Sequence, residues 1–389
     1  MSRTTEFYRG RRKRRNYAFI PAVILIGLIT LMVVLFYGMQ KYAVITKDGV
    51  DVVLPGMEPE GLALDSQGKE IRSFDPVETE LVIESPDYSR VTAVAGKDAG
   101  PLRAIFIASD DLNRDNLLNR AAQLNSGNAL VLEMKPRSGY LMWQSETKMC
   151  RDYGLAVQSD LAEAWPQMLQ ELRDYAGEQD KELRLVAQIS CCLDSMLATR
   201  STFYALRNAA GFDVNDENGY WLDPYNADLR SYIVQLVREL YAMGFDEVVL
   251  ADVAHPVAQV AEGQDPPTYL YTREMSTTPN PTNAVCGFAL YVARELADRD
   301  GLLSIYTGTR RSLVGLDAGT GQDAPLFLKL YDRVYFRTDR YEYTFNFQDI
   351  DGYVSIGSPN DRFIPVVINY LPDNSSWVYI EDLSALNQN

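Results

Sequence analysis

The sequence has very few of the residues from which common hydrolytic and metal centres are built. Its 389 residues include one histidine, His255, so a zinc site that needs two or three histidines is excluded. A Ser-His-Asp triad would have to use the same histidine, and no G-x-S-x-G motif supplies its serine. No G-x-G-x-x-G follows the first predicted strand, which argues against a dinucleotide-binding fold. We therefore expect no cofactor and no metal centre, and a calcium ion held by loop carboxylates stays open as an alternative.

Cysteine is also scarce, with only Cys150, Cys191, Cys192 and Cys286 in the chain. Four cysteines in a chain of this length form no disulfide framework, and no C-x-x-C pair is present for zinc or redox chemistry. The adjacent Cys191 and Cys192 follow an apolar run and are interpreted as small buried hydrophobic residues. A bridge between Cys150 and Cys286 stays open as an alternative.

Basic residues are few outside the N-terminus. The net charge is −16, but the first 17 residues hold seven basic residues and one acidic residue. The remainder holds 30 basic and 52 acidic residues, a net charge of −22. Such a surface repels nucleic acid and anionic polymers, so we expect no nucleic-acid partner, whereas neutral glycans would not be repelled.

An uncharged apolar run of 20 residues, 18–37, is long enough to cross a bilayer as a helix. The basic segment 1–17 before it is expected to stay in the cytoplasm, which places the rest of the chain outside. The run is longer than the core of a signal peptide and has no convincing cleavage site after it. The sequence therefore predicts a single-pass protein of the cell membrane, anchored by this helix.

Residues 38–100 are rich in Gly, Pro, Asp and Glu and are interpreted as an extracytoplasmic stalk. From Pro101 onward, strand-like apolar runs alternate with helical patterns at 111–125, 160–177, 195–210, 226–243 and 283–299, which predicts a parallel sheet covered by helices. The predicted strands are Arg103–Ala108, Ala129–Lys135, Leu183–Ser190, Glu247–Asp252, Leu302–Tyr306, Arg333–Arg337, Tyr353–Ile356 and Phe363–Ile368. Eight strands favour an α/β fold of the (β/α)8 TIM-type barrel class at 101–371, followed by a tail at 372–389. An open, doubly wound sheet is the alternative.

The clearest unit of this pattern is 219–256, where one helix leads into one buried strand. Asp223 is predicted as the N-cap of the helix and Pro224 as its first residue, and Gly244 ends it. Val248–Ala251 is apolar on both faces, as a parallel strand covered by helices must be. Asp252 follows directly, at the point where a barrel strand delivers a side chain to a site.

Part of this unit, WLDPYNADLRSYIVQLVRELYAMGFDEVVL, resembles the signature of the bacterial "putative glycosyl hydrolase domain" family. That signature runs W-[VL]-D-P-Y, a helix, G-F-D-E-I, an apolar strand, then D-Y-V-R-F-P. Weaker similarities are NALVLEMKPRSG at 128–139, LVAQISCCLDSMLA at 185–198, GTGQD at 319–323 and LYDRVYF at 330–336. The resemblance extends from Arg103 to about Tyr370 and implies an α-amylase-like barrel that acts on glycosidic bonds.

Candidate site residues lie where the predicted strands end, because the active sites of such barrels form there. Glycoside hydrolysis needs two carboxyl groups, one as acid and one as nucleophile or base. Asp252 is the first candidate, and Glu133 or Asp194 is its partner. Asp246 and Glu247 are excluded from catalysis because they lie at the entrance of their strand. The substrate-binding candidates are Lys135, His255, Tyr306, Arg337, Trp221 and Asp110.

Two of these carboxyl groups also have a structural interpretation. Asp194 is placed to cap the helix that begins near Ser195. Glu133 is placed to pair with Lys135, which points to the same face of an extended strand.

The chain departs from the family signature where the chemistry is expected. Ala251 stands where the signature has Asp, and Asp252 comes one residue later, which turns its side chain to the opposite face of a regular strand unless a bulge restores it. Gln188 and the run Asp-Val-Ala-His-Pro at 252–256 replace the expected arginines. We predict a membrane-anchored, extracytoplasmic glycoside-hydrolase-like protein that acts on a cell-wall or extracellular glycan through a carboxylate pair. The alternative is a catalytically inactive glycan-binding or cell-surface scaffold protein on the same barrel.

Overall fold

The computed structural model describes residues 28, 30, 43–46, 49–52, 97–124, 127–256, 269–271, 280–308, 315–337, 359–369 and 375–381. The chain divides into two compact units, Met1–Ile83 and Glu84–Asn389. In the first unit, Ala43–Thr46 and Gly49–Val52 pair as an antiparallel two-stranded sheet within the predicted stalk. The predicted tail 1–17 and, apart from residues 28 and 30, the predicted membrane helix lie outside the described residues. None of the helices in the described ranges combines the length and apolar character needed to span a bilayer.

The second unit is built on eight parallel strands. They are β1 (Arg103–Ile107), β2 (Ala129–Lys135), β3 (Arg184–Ser190), β4 (Glu247–Ala251), β5 (Leu302–Thr307), β6 (Arg333–Arg337), β7 (Phe363–Ile368) and β8 (Trp377–Ile380). Each strand pairs with the next one along the chain, and β8 pairs with β1, which closes the barrel. The closed parallel barrel confirms the (β/α)8 TIM-type class and excludes the open sheet.

The prediction was wrong about the last strand. Phe363–Ile368, predicted as the eighth strand, is the seventh, and β8 comes from the region predicted as a C-terminal tail. The predicted seventh strand, Tyr353–Ile356, lies outside the described residues. Residues just before Pro101 pack against the barrel, because the Arg333 guanidinium donates to the carbonyl oxygens of Ala99 (2.9 Å) and Gly100 (2.7 Å). The predicted range 101–371 is too short at its C-terminal end, where it leaves out β8.

Helices connect most of the strands. They are α1 (Arg114–Gln123), α2 (Lys148–Tyr153), α3 (Asp160–Glu163), α4 (Trp165–Gly177), α5 (Ser195–Arg200), α6 (Ala227–Met243), α7 (Pro281–Glu295), α8 (Ala324–Leu330) and α9 (Pro359–Arg362). The predicted cap of α6 was wrong: Asn226, not Asp223, accepts from the peptide N–H groups of Asp228 and Leu229. Gly244 ends α6 in the left-handed region, at φ 111°, as predicted.

Side chains alternate along each strand between the inside of the barrel and the layer beneath the helices. On β6, Tyr335 belongs to the inner cluster, whereas Val334 and Phe336 pack in the outer core. The inner cluster is mostly aliphatic, with Phe106, Val131, Val249, Ile364, Val366, Val378 and Ile380 among its members. All four cysteines are free; Cys191 and Cys192 are buried as predicted, and the Cys150–Cys286 bridge is not formed.

The end of the barrel where the strands begin is closed by a buried polar network around Glu247. The Glu247 carboxylate accepts from Ser304 Oγ (2.6 Å) and Tyr335 OH (2.8 Å) and forms an ion pair with Arg333. Each of the four side chains is fully buried. Glu247 therefore stabilises the floor of the barrel, at the end opposite to the strand termini that carry the candidate site.

Candidate active site

A cleft of about 670 Å³ opens where the barrel strands end. Its lining includes two of the three predicted catalytic residues, Glu133 and Asp252. It also includes five of the six predicted substrate-binding residues: Lys135, His255, Tyr306, Arg337 and Trp221. Asp194 and Asp110 are not part of the lining; Asp194 is fully buried, and Asp110 lies exposed in the 3-10 turn Ser109–Asp111.

Asp252 reaches the cleft through an unusual backbone conformation. It directly follows β4, whose register with both neighbouring strands is regular, and its own φ is +52°. Asp is among the few residues that tolerate this left-handed region. The left-handed residue redirects the side chain, so the one-residue shift against the family signature is accommodated by a turn after the strand rather than by a bulge within it.

The Asp252 carboxylate is held by two donors. Arg137 Nη2 lies 2.9 Å from Oδ1 and Arg137 Nε lies 3.3 Å from Oδ2, a bidentate arrangement. Ser190 Oγ donates to Oδ2 at 2.7 Å. The third arm of the guanidinium, Nη1, donates to Asn218 Oδ1 at 2.9 Å. Asp252 is thus an anion fixed in orientation at the cleft, with 13 % of its side chain exposed.

Glu133 has a different environment. Burial raises the pKa of its carboxyl group, and the nearby charge of Asp252 acts in the same direction, while the N–H of Ser109 (3.0 Å from Oε2) and the Arg137 cation oppose them. The register of β2 against β3 shifts between Glu133 and Lys135, so a bulge lies at this position. The cleft therefore holds one carboxyl group that favours its protonated form and one carboxylate bound to a guanidinium.

Asp194 caps a helix, the structural role that the sequence analysis gave as the alternative to catalysis. Its Oδ1 accepts from the N–H of Leu197 at 2.7 Å and caps α5. Its Oδ2 lies 2.8 Å from Lys135 Nζ, and both side chains are 0 % exposed. Lys135 also donates to Ser190 O at 2.7 Å. Lys135 is therefore the partner of Asp194 and not, as the sequence suggested, of Glu133.

We predict that Asp194→Ala lowers the free energy of unfolding by about 3–5 kcal/mol, because it removes a helix cap and leaves the Lys135 charge buried without its partner. Urea unfolding measures the effect. Asp298→Ala is the matched control: Asp298 pairs with Arg238 at 3.3 Å on the surface, where an ion pair contributes about 0–1 kcal/mol. Equal losses in the two variants would contradict the buried-pair interpretation.

His255 lines the cleft but is not suited to act as a general acid. Its ring stacks on Tyr269 with centroids 4.9 Å apart, and Nε2 lies 3.3 Å from Tyr271 OH. Burial lowers the pKa of His255 to about 3. The imidazole is therefore neutral around neutral pH and is suited to hydrogen bonding but not to acid catalysis.

The remaining binding candidates lie on different sides of the cleft. Trp221 Nε1 donates to Asp216 Oδ2 at 2.9 Å, next to the turn that holds Asn218. Tyr306 lies near the end of β5 and packs against the inner cluster. Burial raises the pKa of its hydroxyl group, while the Arg337 and Arg137 cations oppose the shift, so the hydroxyl group stays protonated. Arg337 is the last residue of β6 and is exposed. These groups offer aromatic faces, hydroxyl groups and a cation to a bound molecule.

Sequence reasoning did not pair Arg137 with Asp252 and did not select Ser190. Arg137 lies two residues beyond the end of β2, within the KPRSG segment at 135–139, and its contact with Asp252 is formed only when β2 and β4 come together in the barrel. Ser190 is the last residue of β3. Within the described ranges no group of three or more His, Cys, Asp or Glu residues is placed to hold a metal ion.

Several solved structures are similar to this chain in fold, and no curated protein matches its sequence. A hypothetical protein from Ruminiclostridium thermocellum ATCC 27405 is 20 % identical, with a TM-score of 0.43, over 52 % of this chain and 96 % of that one. An alpha-galactosidase from Thermus thermophilus is 16 % identical (TM-score 0.39; 62 % of this chain, 44 % of that one). A chitobiase from Flavobacterium johnsoniae is 13 % identical (TM-score 0.41; 73 % and 45 %). The chain spans less than half the length of either of these two enzymes.

The family described as "Putative glycosyl hydrolase domain" matches residues 104–334, more than half of the chain. The matched range runs from β1 into β6 and includes Glu133, Arg137, Asp194 and Asp252. The resemblance seen in the sequence is thereby confirmed, and the chain belongs to the "Putative glycosyl hydrolase domain" family.

Proposed function

We propose that this protein is a glycoside hydrolase in which Glu133 is the general acid and Asp252 is the nucleophile or general base. One observation carries the proposal: two carboxyl groups with opposite environments line the same cleft at the active end of the barrel. Glu133 is desolvated and has a raised pKa, while Asp252 is bound by Arg137 and Ser190. Hydrolysis of a glycosidic bond requires this division of roles.

The proposed reaction begins with proton transfer from Glu133 to the glycosidic oxygen as the bond to the leaving sugar breaks. The ring that remains develops positive charge, which the Asp252 carboxylate stabilises. In one route Asp252 attacks the anomeric carbon, and water that gives its proton to Glu133 then breaks the bond between Asp252 and the sugar. In the other route Asp252 removes a proton from the water that attacks the anomeric carbon. Arg137 and Ser190 are positioning residues in this scheme, because they fix both oxygens of Asp252 without themselves reacting.

The proposed substrate is a cell-wall or extracellular glycan. Trp221, Tyr306 and His255 line the cleft and offer ring surface for sugars, and the apolar inner wall of the cleft includes Phe106 and Val366. The location is proposed from the sequence: the apolar run 18–37 behind seven basic residues favours a membrane anchor with the barrel outside. Protease added to intact cells would cut the barrel if this topology is right, and a fully protected barrel would exclude it.

Hydrolysis by the full chain tests the proposal. The substrates are a panel of aryl glycosides and cell-wall and extracellular polysaccharides, and the assay follows release of reducing ends, with NMR for the anomeric configuration of the first product. The Glu133→Gln, Asp252→Asn double variant is the blank. We expect turnover by the natural chain alone. Binding without turnover would favour the inactive glycan-binding alternative, and neither binding nor turnover would reject a glycan function.

A further inference from the structure

We infer that the glycan recognised by this cleft carries a carboxylate, and that the Arg337 guanidinium is the group that binds it. The inference rests on the proposed function and adds the chemical class of the sugar to it. The other predicted binding residues that line the cleft contribute a hydroxyl group, aromatic rings or a buried charge that is already paired. They therefore do not distinguish an acidic sugar from a neutral one.

The position of Arg337 follows from the alternation along β6. Tyr335 points into the barrel and lines the cleft, and Arg337, two residues further along the same strand, points to the same side. Because Arg337 is the last residue of β6, its side chain emerges at the mouth of the cleft rather than inside the barrel. It is exposed and also lines the cleft, so a bound sugar can reach it.

The three cations of the cleft differ in what they contact. Lys135 is paired with Asp194 at 2.8 Å and Arg137 with Asp252 at 2.9 Å, so both charges are neutralised by the protein itself. Arg337 forms no hydrogen bond or ion pair with the part of the chain that the structure describes. A cation at the rim of a cleft that has no partner among these described residues is available for an anionic group of the ligand.

A carboxylate fits a single guanidinium in shape and in charge. The planar fork of Arg binds the two oxygens of a carboxylate through parallel N–H···O bonds, with one positive charge against one negative charge. Tyr306 pairs in register with Tyr335, two residues before Arg337, and its hydroxyl group adds a neutral donor to the same cleft. The remaining surface is strongly acidic, so this local cation provides selectivity within the cleft and not long-range attraction.

Binding to matched pairs of oligosaccharides tests the inference. The protein is the full chain with Glu133→Gln, which slows hydrolysis of natural sugars and leaves Arg337 unchanged. The probes are galacturonate oligomers, hyaluronan fragments and muramic-acid disaccharides, each used before and after reduction of its carboxyl groups to alcohols. We expect at least one acidic probe to bind about 10- to 100-fold more tightly than its reduced form at physiological salt, as measured by calorimetry.

Substitution of Arg337 assigns the effect. In the same background Arg337→Gln should abolish the difference between acidic and reduced probes, and Arg337→Lys should retain part of it. Arg238→Gln is the control, because Arg238 lies on the surface of α6 and donates to Glu295 O at 2.6 Å; it should retain the full difference. Thermal unfolding of each variant verifies that it is folded.

The possible failures are distinguishable. Equal binding of acidic and reduced probes, or an acidic preference that survives Arg337→Gln, overturns this inference and leaves the proposed function standing. A preference for sulfated over carboxylated oligosaccharides also overturns it. If no probe binds in either form and the hydrolysis panel is negative as well, the proposed function fails together with the inference.

Discussion

Asp252→Asn is expected to lower kcat/KM by about 10³-fold or more on every substrate that the full chain hydrolyses. The amide keeps the shape of the side chain and can still accept from Ser190, but it loses the charge that stabilises the developing oxocarbenium ion. It also loses the basicity needed to attack carbon or to activate water. Because both losses affect the transition state directly, kcat/KM should fall by a similar factor for substrates with good and with poor leaving groups.

The control for this variant is Asp115→Asn on α1, an exposed carboxylate whose loss should leave kcat/KM within about twofold of the natural value, since isolated surface charges contribute little. Thermal unfolding should show that both variants are folded, because Arg137 is 40 % exposed and can be solvated when its partner is neutralised. Undiminished hydrolysis by Asp252→Asn would show that the proposed mechanism is wrong.

Glu133→Gln should have an effect that depends on the leaving group. For natural sugars, which depart as poor leaving groups, the loss of the acid should lower kcat by about 10²- to 10⁴-fold. For aryl glycosides with strongly acidic phenols the loss should be small, because those groups depart without a proton. A plot of log kcat against leaving-group pKa should therefore be steep for Glu133→Gln and shallow for the natural chain.

The pH profile gives a second readout for Glu133. Burial raises the pKa of this carboxyl group, so the acid is protonated below that raised value and activity is lost as the pH rises through it. This basic limb should disappear in Glu133→Gln. If the limb persists unchanged, or if aryl glycosides and natural sugars lose activity equally, Glu133 is not the acid.

The barrel could be predicted from the sequence because its signals are local. Runs such as Ala129–Lys135 and Phe363–Ile368 are apolar, strand-like and separated by helical patterns, and this alternation predicts a parallel barrel. The eighth strand was not predicted because Trp377–Ile380 has only four residues. No helical pattern precedes it, so nothing in the sequence marked it as part of a β/α unit. Its assignment depends on ring closure with β7 and β1, which is a tertiary property.

The lining of the cleft was predicted in part, but the contacts between its residues were not. Because Glu133 and Asp252 lie near the ends of predicted strands, both were expected at the cleft that they line. The position of Asp194 just before a helix predicted the capping role that it performs. The pairing of Arg137 with Asp252 joins residues 115 positions apart and depends on the left-handed conformation of Asp252. No local pattern encodes that conformation, since Asp at the end of a strand is compatible with several turns.

The most direct test of the central claim is the titration of the Glu133 carboxyl group, followed by isotope-edited infrared or carbon-13 NMR spectroscopy of the full chain. The signal is assigned by its absence in Glu133→Gln. We predict that Glu133 holds its proton above the ordinary glutamate pKa of about 4.3 and that Asp252→Asn lowers its pKa, because the neighbouring negative charge is removed and Arg137 is released. A Glu133 that titrates at or below the ordinary value, and does not respond to Asp252→Asn, would contradict the proposed acid and carboxylate pair.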